Sequence, residues 1–326
     1  MENTQDLQKA FMQKVLQKIA PDSLLSNEIA AFLKISRSEA YNKISGKSAL
    51  TLMQINSLCN KYDLDFAISG NTKSNDARVS FTPFNAGKTD MRKYLLLLNE
   101  FMKELQQEQV SKLSCTTDDI PFFHLFKYPE LAAFKLHFWD TRIPKKNHSS
   151  IKHFDFKSAD KKNIKAAYEL HNTYTGIPSM EIWTKNYLLI ITDQIKYACE
   201  TELLKDKQLA NTICEQLLET LADIETYAIN GSKSKRENVL FDWYQCDVVG
   251  NVSYLAETAD KQVCFLRFNT FNNLKSDNEQ LCKEVGMWMK FLLNNSIGFS
   301  GHGSNQRDIY LKDLKSTIVK IQDEYI

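Results

Sequence analysis

Apolar residues recur at helical spacing from the start of the chain: over 4–20, Leu7, Phe11, Val15 and Ile19 stand four apart, with Met12 and Leu16 beside them. That places a continuous apolar stripe on one face of a helix, which Pro21-Asp22-Ser23 is expected to end. The same spacing resumes with Ile29, Ala30, Phe32 and Leu33, where Ser26 or Asn27 is placed to accept first-turn amide hydrogens. A break is expected at Lys34-Ile35-Ser36. Ser36 then caps a short helix over 37–44, and Glu39, three residues on, is placed to close a capping box. Ala30, Ile35, Ala40 and Ile44 are small or aliphatic where two helices must pass closely, whereas Arg37, Ser38, Tyr41, Asn42 and Lys43 carry polar groups free to face outward. A further helix over 51–62 is expected to start at Thr51 and to carry Leu52, Ile55, Leu58, Cys59 and Tyr62. Residues 1–70 thus read as a small bundle with short connections.

Beyond it the pattern changes. Residues 71–90 are rich in Ser, Thr, Asn and Gly and read as a linker, with ARVSFTPF supplying a short strand. Over 90–109 a long helix is expected, its stripe made by Met91, Tyr94, Leu95, Leu98, Phe101, Met102 and Leu105. Helical spacing returns over 159–174 and over 195–229, the latter interrupted near Lys205-Asp206-Lys207. EIWT at 181–184, running into YLLII, suggests a helix or a buried strand. LFDWYQCDVVG, NVSYLAET and QVCFLRFNTF read as three adjacent antiparallel strands, with Gly250-Asn251 as a tight connection, because no long helical crossover separates them. Helices over 277–294 and up to about 325 close the chain. The expected fold class is α+β and predominantly helical: an N-terminal helix-turn-helix bundle over 1–70, then a larger mixed helical region over 91–326 holding a short antiparallel sheet.

Composition adds boundaries. The 326 residues carry 43% hydrophobic and 25% charged side chains, as an ordinary folded protein does, and a formal net charge of +1. A nucleic-acid partner therefore has to be argued from local charge. Residues 1–70 hold eight Lys/Arg against seven Asp/Glu, but within 37–47 Arg37, Lys43 and Lys47 oppose Glu39 alone. The seven cysteines show no repeated short spacing, and an odd count without a secretory leader points to a reducing compartment. The apolar runs are too short to span a bilayer, so a cytoplasmic protein with no membrane partner is expected.

The stretch EIAAFLKISRSEAYNKISGKSALTLMQINSLCNKY resembles the lambda-repressor-like, or Cro/C1-type, helix-turn-helix family. The family's small residue in the first motif helix falls on Ala30 and its buried turn aliphatic on Ile35. The serine opening its recognition helix falls on Ser36 or on Arg37-Ser38, and its glycine-containing loop on Ser45-Gly46-Lys47. The usual glutamine at the start of the first motif helix is absent, Asn27 and Glu28 standing there, and Lys34 replaces the usual turn glycine, at some local cost. The resemblance implies a transcriptional regulator that recognises double-stranded DNA in a sequence-specific way, as a homodimer on paired half-sites. Arg37, Ser38, Tyr41 and Asn42 are then the candidates for base edges, and Lys43 and Lys47 for phosphates. The remaining region is left for self-association or for sensing a small-molecule effector. A helical interaction scaffold with solvated lysines, or an enzyme regulated by its N-terminal bundle, are the alternatives.

Other motifs carry less. Gly87-Lys88-Thr89 lacks the first glycine of a phosphate loop, since Thr82 stands in its place. His124, His137, His148 and His153 are spaced 13, 11 and 5 apart, which puts no consecutive pair on adjacent turns of one helical face, so no metal site is expected. No cofactor is identified. Tyr174, Glu181 and Trp183 are placed to line a cleft or to pack. Ser300, His302, Ser304, Asn305 and Arg307 surround glycines that could bring amides to an anion, or form a plain connector.

Overall fold

The computed structural model describes residues 4–19, 25–62, 64, 77–83, 90–108, 111–141, 153–184, 188–234, 239–248, 252–268, 271–302 and 304–326. The chain divides into two compact units, Met1–Asn75 and Asp76–Ile326.

Among the described residues the first unit is a helical bundle of α1 (Thr4–Gln17), α2 (Leu25–Leu33), α3 (Arg37–Ile44) and α4 (Leu52–Tyr62). Phe11, Val15 and Ile19 meet Ile29, Ala40, Leu50 and Leu58 in its core, so the four-residue spacing in α1 is the stripe that faces inward. Ser36 caps α3, its Oγ accepting from the Glu39 amide at 3.1 Å. At α4 the box is closed in both directions: Thr51 Oγ1 accepts from the Gln54 amide at 3.2 Å, and Gln54 Oε1 accepts from the Thr51 amide at 3.0 Å.

The second unit is organised on a seven-stranded sheet. Its elements are α5 (Met91–Gln107), β1 (Ser111–Thr117), α6 (Phe122–Leu125), α7 (Pro129–Asp140), a 3-10 turn (Phe156–Ser158), α8 (Lys161–Tyr174), β2 (Ser179–Thr184), α9 (Leu188–Glu200) and α10 (Lys207–Asn230). They are followed by β3 (Phe241–Cys246), β4 (Ser253–Thr258), β5 (Gln262–Arg267), β6 (Asn273–Ser276), α11 (Glu279–Asn294), β7 (Ser296–Gly298) and α12 (Asn305–Tyr325). The strand order is β6-β5-β4-β1-β2-β3-β7. β1, β2 and β3 run parallel, and the outer strands pair antiparallel.

Alternation along the strands separates two faces. Cys115, Glu181, Trp183, Trp243 and Tyr254 are in register on one, under α5, α6, α7, α8, α9, α10 and α12. Leu255, Cys264, Met180, Ile182 and Cys246 lie on the other, against Cys282, Val285, Met289 and Leu292 of α11.

The fold is α+β and predominantly helical, with the bundle first and the mixed region after it. One detail of the sheet is corrected. β4 and β5 are antiparallel neighbours, but β3 is not their neighbour: it pairs parallel to β2, on the far side of β1. The helical crossover that a parallel strand requires lies upstream, in α9 and α10 between β2 and β3, not among the three strand runs themselves. Of ARVSFTPF, Ser80 forms a single antiparallel bridge to Lys275 on β6. Pro21-Asp22-Ser23, Gly87-Lys88-Thr89, His148 and Gly250-Asn251 lie outside the described residues.

Candidate nucleic-acid interface

α2 and α3 are joined by Lys34, Ile35 and Ser36, and Lys34 takes the left-handed conformation, φ 55°. A lysine can occupy that region only against the clash of its Cβ, so the turn carries local strain where a glycine would carry none. The Ile35 amide closes the turn by donating to the Ala30 carbonyl at 3.0 Å. Ala40, on the inner side of α3, is fully buried. Turned the other way, Arg37, Ser38 and Tyr41 are exposed, Tyr41 by 60%, and Asn42 is half-buried at the margin of that strip. Lys47, in the following loop, is exposed, its Nζ 5.9 Å from the centre of the Tyr41 ring.

Lys43 departs from the expected arrangement. Its side chain is buried, and Nζ donates to the Ala49 carbonyl at 2.9 Å, with Glu39 Oε1 3.9 Å away. The ammonium is committed to holding the loop after α3, so the outward-facing role expected for it is corrected to a structural one. Gln8 of α1 holds the same loop, donating to the carbonyls of Lys43 (2.6 Å) and Ser48 (2.9 Å) and accepting from the Leu50 amide (2.9 Å). Glu28, in the first turn of α2, is also engaged, accepting from Tyr62 Oη at 2.7 Å and from Lys61 Nζ at 3.3 Å. The exposed face is therefore built on a loop fixed from beneath.

In the second unit, polar groups meet in the core of the sheet. Glu181, at the middle of β2, accepts from His124 Nε2 of α6 at 2.8 Å, from Trp183 Nε1 at 2.8 Å, and from the Tyr174 hydroxyl at the end of α8. Lys233, just after α10, donates to Ser179 Oγ at 2.8 Å, and its Nζ lies 3.4 Å from the centre of the Tyr174 ring. Burial pushes the Glu181 carboxyl up, but the charges and hydrogen bonds of His124, Lys233 and Tyr174 outweigh it and hold it below its ordinary value. Burial lowers the Lys233 ammonium to about 7, against the pull of Glu181. Burial likewise raises the Tyr174 hydroxyl, as does the adjacent Glu181 charge.

Tyr174, Glu181 and Trp183 thus do come together, as bonded partners and not as walls of a cleft. His124, Glu181, Tyr174 and Lys233 are all closed to solvent, so the group is a buried charge network whose chemistry is mutual compensation. His124 had a weak sequence signal, one imidazole within the aromatic run FFHLF; Lys233 had none, sitting in a polar stretch that reads as solvated.

The residues about His302 do not converge. Arg307 is buried, with Nη1 donating to the carbonyls of Phe299 (3.0 Å) and Gly301 (2.7 Å); Ser304 caps α12 and His302 is exposed. Ser300 Oγ is used by the backbone of β3, accepting from Trp243 N at 2.8 Å and donating to the Phe241 carbonyl at 3.1 Å. His137 lies within α7, and His153 Nδ1 is 2.6 Å from the Glu202 carbonyl at the surface. Among the described residues no group of His, Cys, Asp and Glu is arranged to hold a metal ion, and no helix is long and apolar enough to cross a membrane.

Comparison of the chain with protein-family models, with curated proteins and with solved structures finds no match.

Proposed function

We propose that the chain is a sequence-specific DNA-binding transcriptional regulator whose N-terminal unit inserts α3 into the major groove. One observation carries the reading: Arg37, Ser38 and Tyr41 form an exposed strip on the second helix of a tightly turned helix pair, while the opposite side of that helix is locked into the core through Ala40 and Lys43. Arg37 and Asn42 are the residue types that make paired hydrogen bonds to base edges, and Lys47 is an exposed cation at the position where a loop leaves the groove. Lys43 is not part of the contact set. The unit offers few contacts on its own, so recognition is by a homodimer on paired half-sites, with the second unit serving self-association or effector sensing. The reading places the protein in the cytoplasm, where its seven free thiols stay reduced.

A scaffold that binds protein is the second reading. It is favoured by Leu52 and Met53, which are 77% and 81% exposed in the first turn of α4. Titration of the full chain onto duplex DNA across a salt series separates the two. DNA binding gives an affinity that falls with salt in proportion to the phosphates neutralised, and Lys47→Ala lowers the slope by about 1. Absence of salt-dependent binding favours the scaffold.

A further inference from the structure

At the outer end of the sheet, α5 covers β5 and β6 incompletely and leaves a cleft open to solvent, with a volume of about 230 Å³. This is smaller than the usual drug-sized site and suits a compact ligand of one small ring system. Leu97 and Phe101 of α5 form one wall and Phe265 of β5 the floor, with the Phe101 and Phe265 rings edge to face at 5.0 Å between centroids. The third side is the strand-like segment 77–83, which is tied along the edge of β6. Ser80 exchanges backbone hydrogen bonds with Lys275 at 2.8 and 2.7 Å, Ser276 Oγ donates to the Arg78 carbonyl at 2.5 Å, and Asn272 Nδ2 donates to the Thr82 carbonyl at 2.7 Å. This tie holds Phe81, itself largely exposed, at the rim.

Lys275 shares the inward register of Phe265 on the neighbouring strand, and its Nζ lies 4.9 Å from the centre of the Phe101 ring. No carboxylate of a described residue forms an ion pair with it. An exposed ammonium with no ion-pair partner among the described residues, at the mouth of an aromatic cleft, is complementary to a flat apolar body bearing a single negative charge. A ring bound there would lie against Phe101, Phe265 and Leu97, with its carboxylate directed to Lys275. A neutral molecule would leave that charge without a counterion.

We infer that this cleft is a binding site for a small aromatic carboxylate. The site belongs wholly to the second unit, and the inference does not depend on the DNA reading. Segment 77–83, which precedes α5 in the same unit, supplies one wall.

The test is calorimetric titration of the full chain, without DNA, with indole-3-acetate, with the neutral indole-3-ethanol, and with decanoate. Saturable one-to-one binding of indole-3-acetate is expected, with Kd of about 0.02–1 mM for a ligand of roughly a dozen heavy atoms. The alcohol should bind about tenfold more weakly, the loss of one charge-assisted contact. Lys275→Met should abolish the difference between acid and alcohol, and Leu97→Trp, which fills the cleft from an exposed position, should abolish binding of both without changing the unfolding midpoint. The inference is overturned by any of four results: no saturable binding of the acid to the folded protein, binding of decanoate but not of the aromatic acid, discrimination that survives Lys275→Met, or binding that survives Leu97→Trp.

Discussion

Replacing Glu181 by glutamine tests the buried network directly, because the substitution keeps the shape and removes only the charge. The native carboxylate accepts from three donors, His124 Nε2, Trp183 Nε1 and the Tyr174 hydroxyl, and offsets the Lys233 charge. An amide has a single accepting oxygen. If it faces His124 and Tyr174, its NH2 opposes the Trp183 N–H; if it is turned over, His124 and Tyr174 lose their acceptor. One orphaned buried donor costs about 1–3 kcal/mol, and removing one partner of a buried, paired charge costs about 3–5 kcal/mol in total. For a unit of this size that corresponds to a fall in Tm of about 6–20 °C. The assay is urea unfolding at pH 7 followed by tryptophan fluorescence, which reports on this unit through Trp183 and Trp243, both in its core. Glu202→Gln serves as the control, since that carboxylate is exposed and pairs only with Lys205 at 3.0 Å among the described residues; its midpoint should not move. A loss below about 1 kcal/mol for Glu181→Gln would refute the reasoning, because it would mean that the native carboxyl carries no charge for its neighbours to compensate.

Stability should also follow pH through Lys233, whose ammonium titrates near 7 when folded and near its ordinary 10.5 when unfolded. Above pH 7 the unfolded chain holds a proton that the folded one has released, so stability rises with pH; between pH 7 and 8.5 the gain is about 1–2 kcal/mol, and Lys233→Met should remove it. A slope unchanged in that variant would exclude Lys233 as its origin. Lys34→Gly should raise the stability of the bundle by about 0.5–1 kcal/mol, since glycine takes a φ of 55° without strain but adds freedom to the unfolded chain; a destabilised variant would contradict the strain argument. Thr51→Ala should lower bundle stability by about 1 kcal/mol in the same denaturation series, through loss of the closed capping box. Lys43→Ala should act on stability and Lys47→Ala on salt-dependent DNA affinity, and an exchange of these effects would restore Lys43 to the contact surface.

Local rules were legible along the chain wherever periodicity and capping decide the conformation. Phe11, Val15 and Ile19 marked the inward face of α1, Ser36 and Thr51 the starts of α3 and α4, and the stretch about Lys205-Asp206-Lys207 the break before α10, which Asp206 caps. A local cost was expected at Lys34, and that residue takes the left-handed conformation.

What depended on distant chain was not legible. β1, with the sequence SKLSCTT, has no hydrophobic alternation, yet it is the central strand. Its hydroxyls are tolerated there because Thr116 Oγ1 meets Ser253 Oγ at 2.9 Å and Thr117 Oγ1 donates to the Asp119 carbonyl at 2.5 Å. The placement of β3 required knowing that α9 and α10 return the chain to the parallel side of β2. Lys43 looked like an outward cation because helical position alone does not reveal a carbonyl brought beneath it by the following loop. Lys233 was hidden for the same reason: its partners Ser179 and Tyr174 come from β2 and α8.

The most direct test of the central claim is selection of bound duplexes from a random DNA library at controlled salt, with the intact protein and with the Arg37→Ala/Asn42→Ala variant run in parallel. The account predicts enrichment of a paired sequence whose half-sites lie about one helical turn, or roughly 34 Å, apart, and loss of that enrichment in a variant that remains folded. Failure of the folded intact protein to enrich any sequence, or enrichment that survives the double substitution, would contradict recognition through α3.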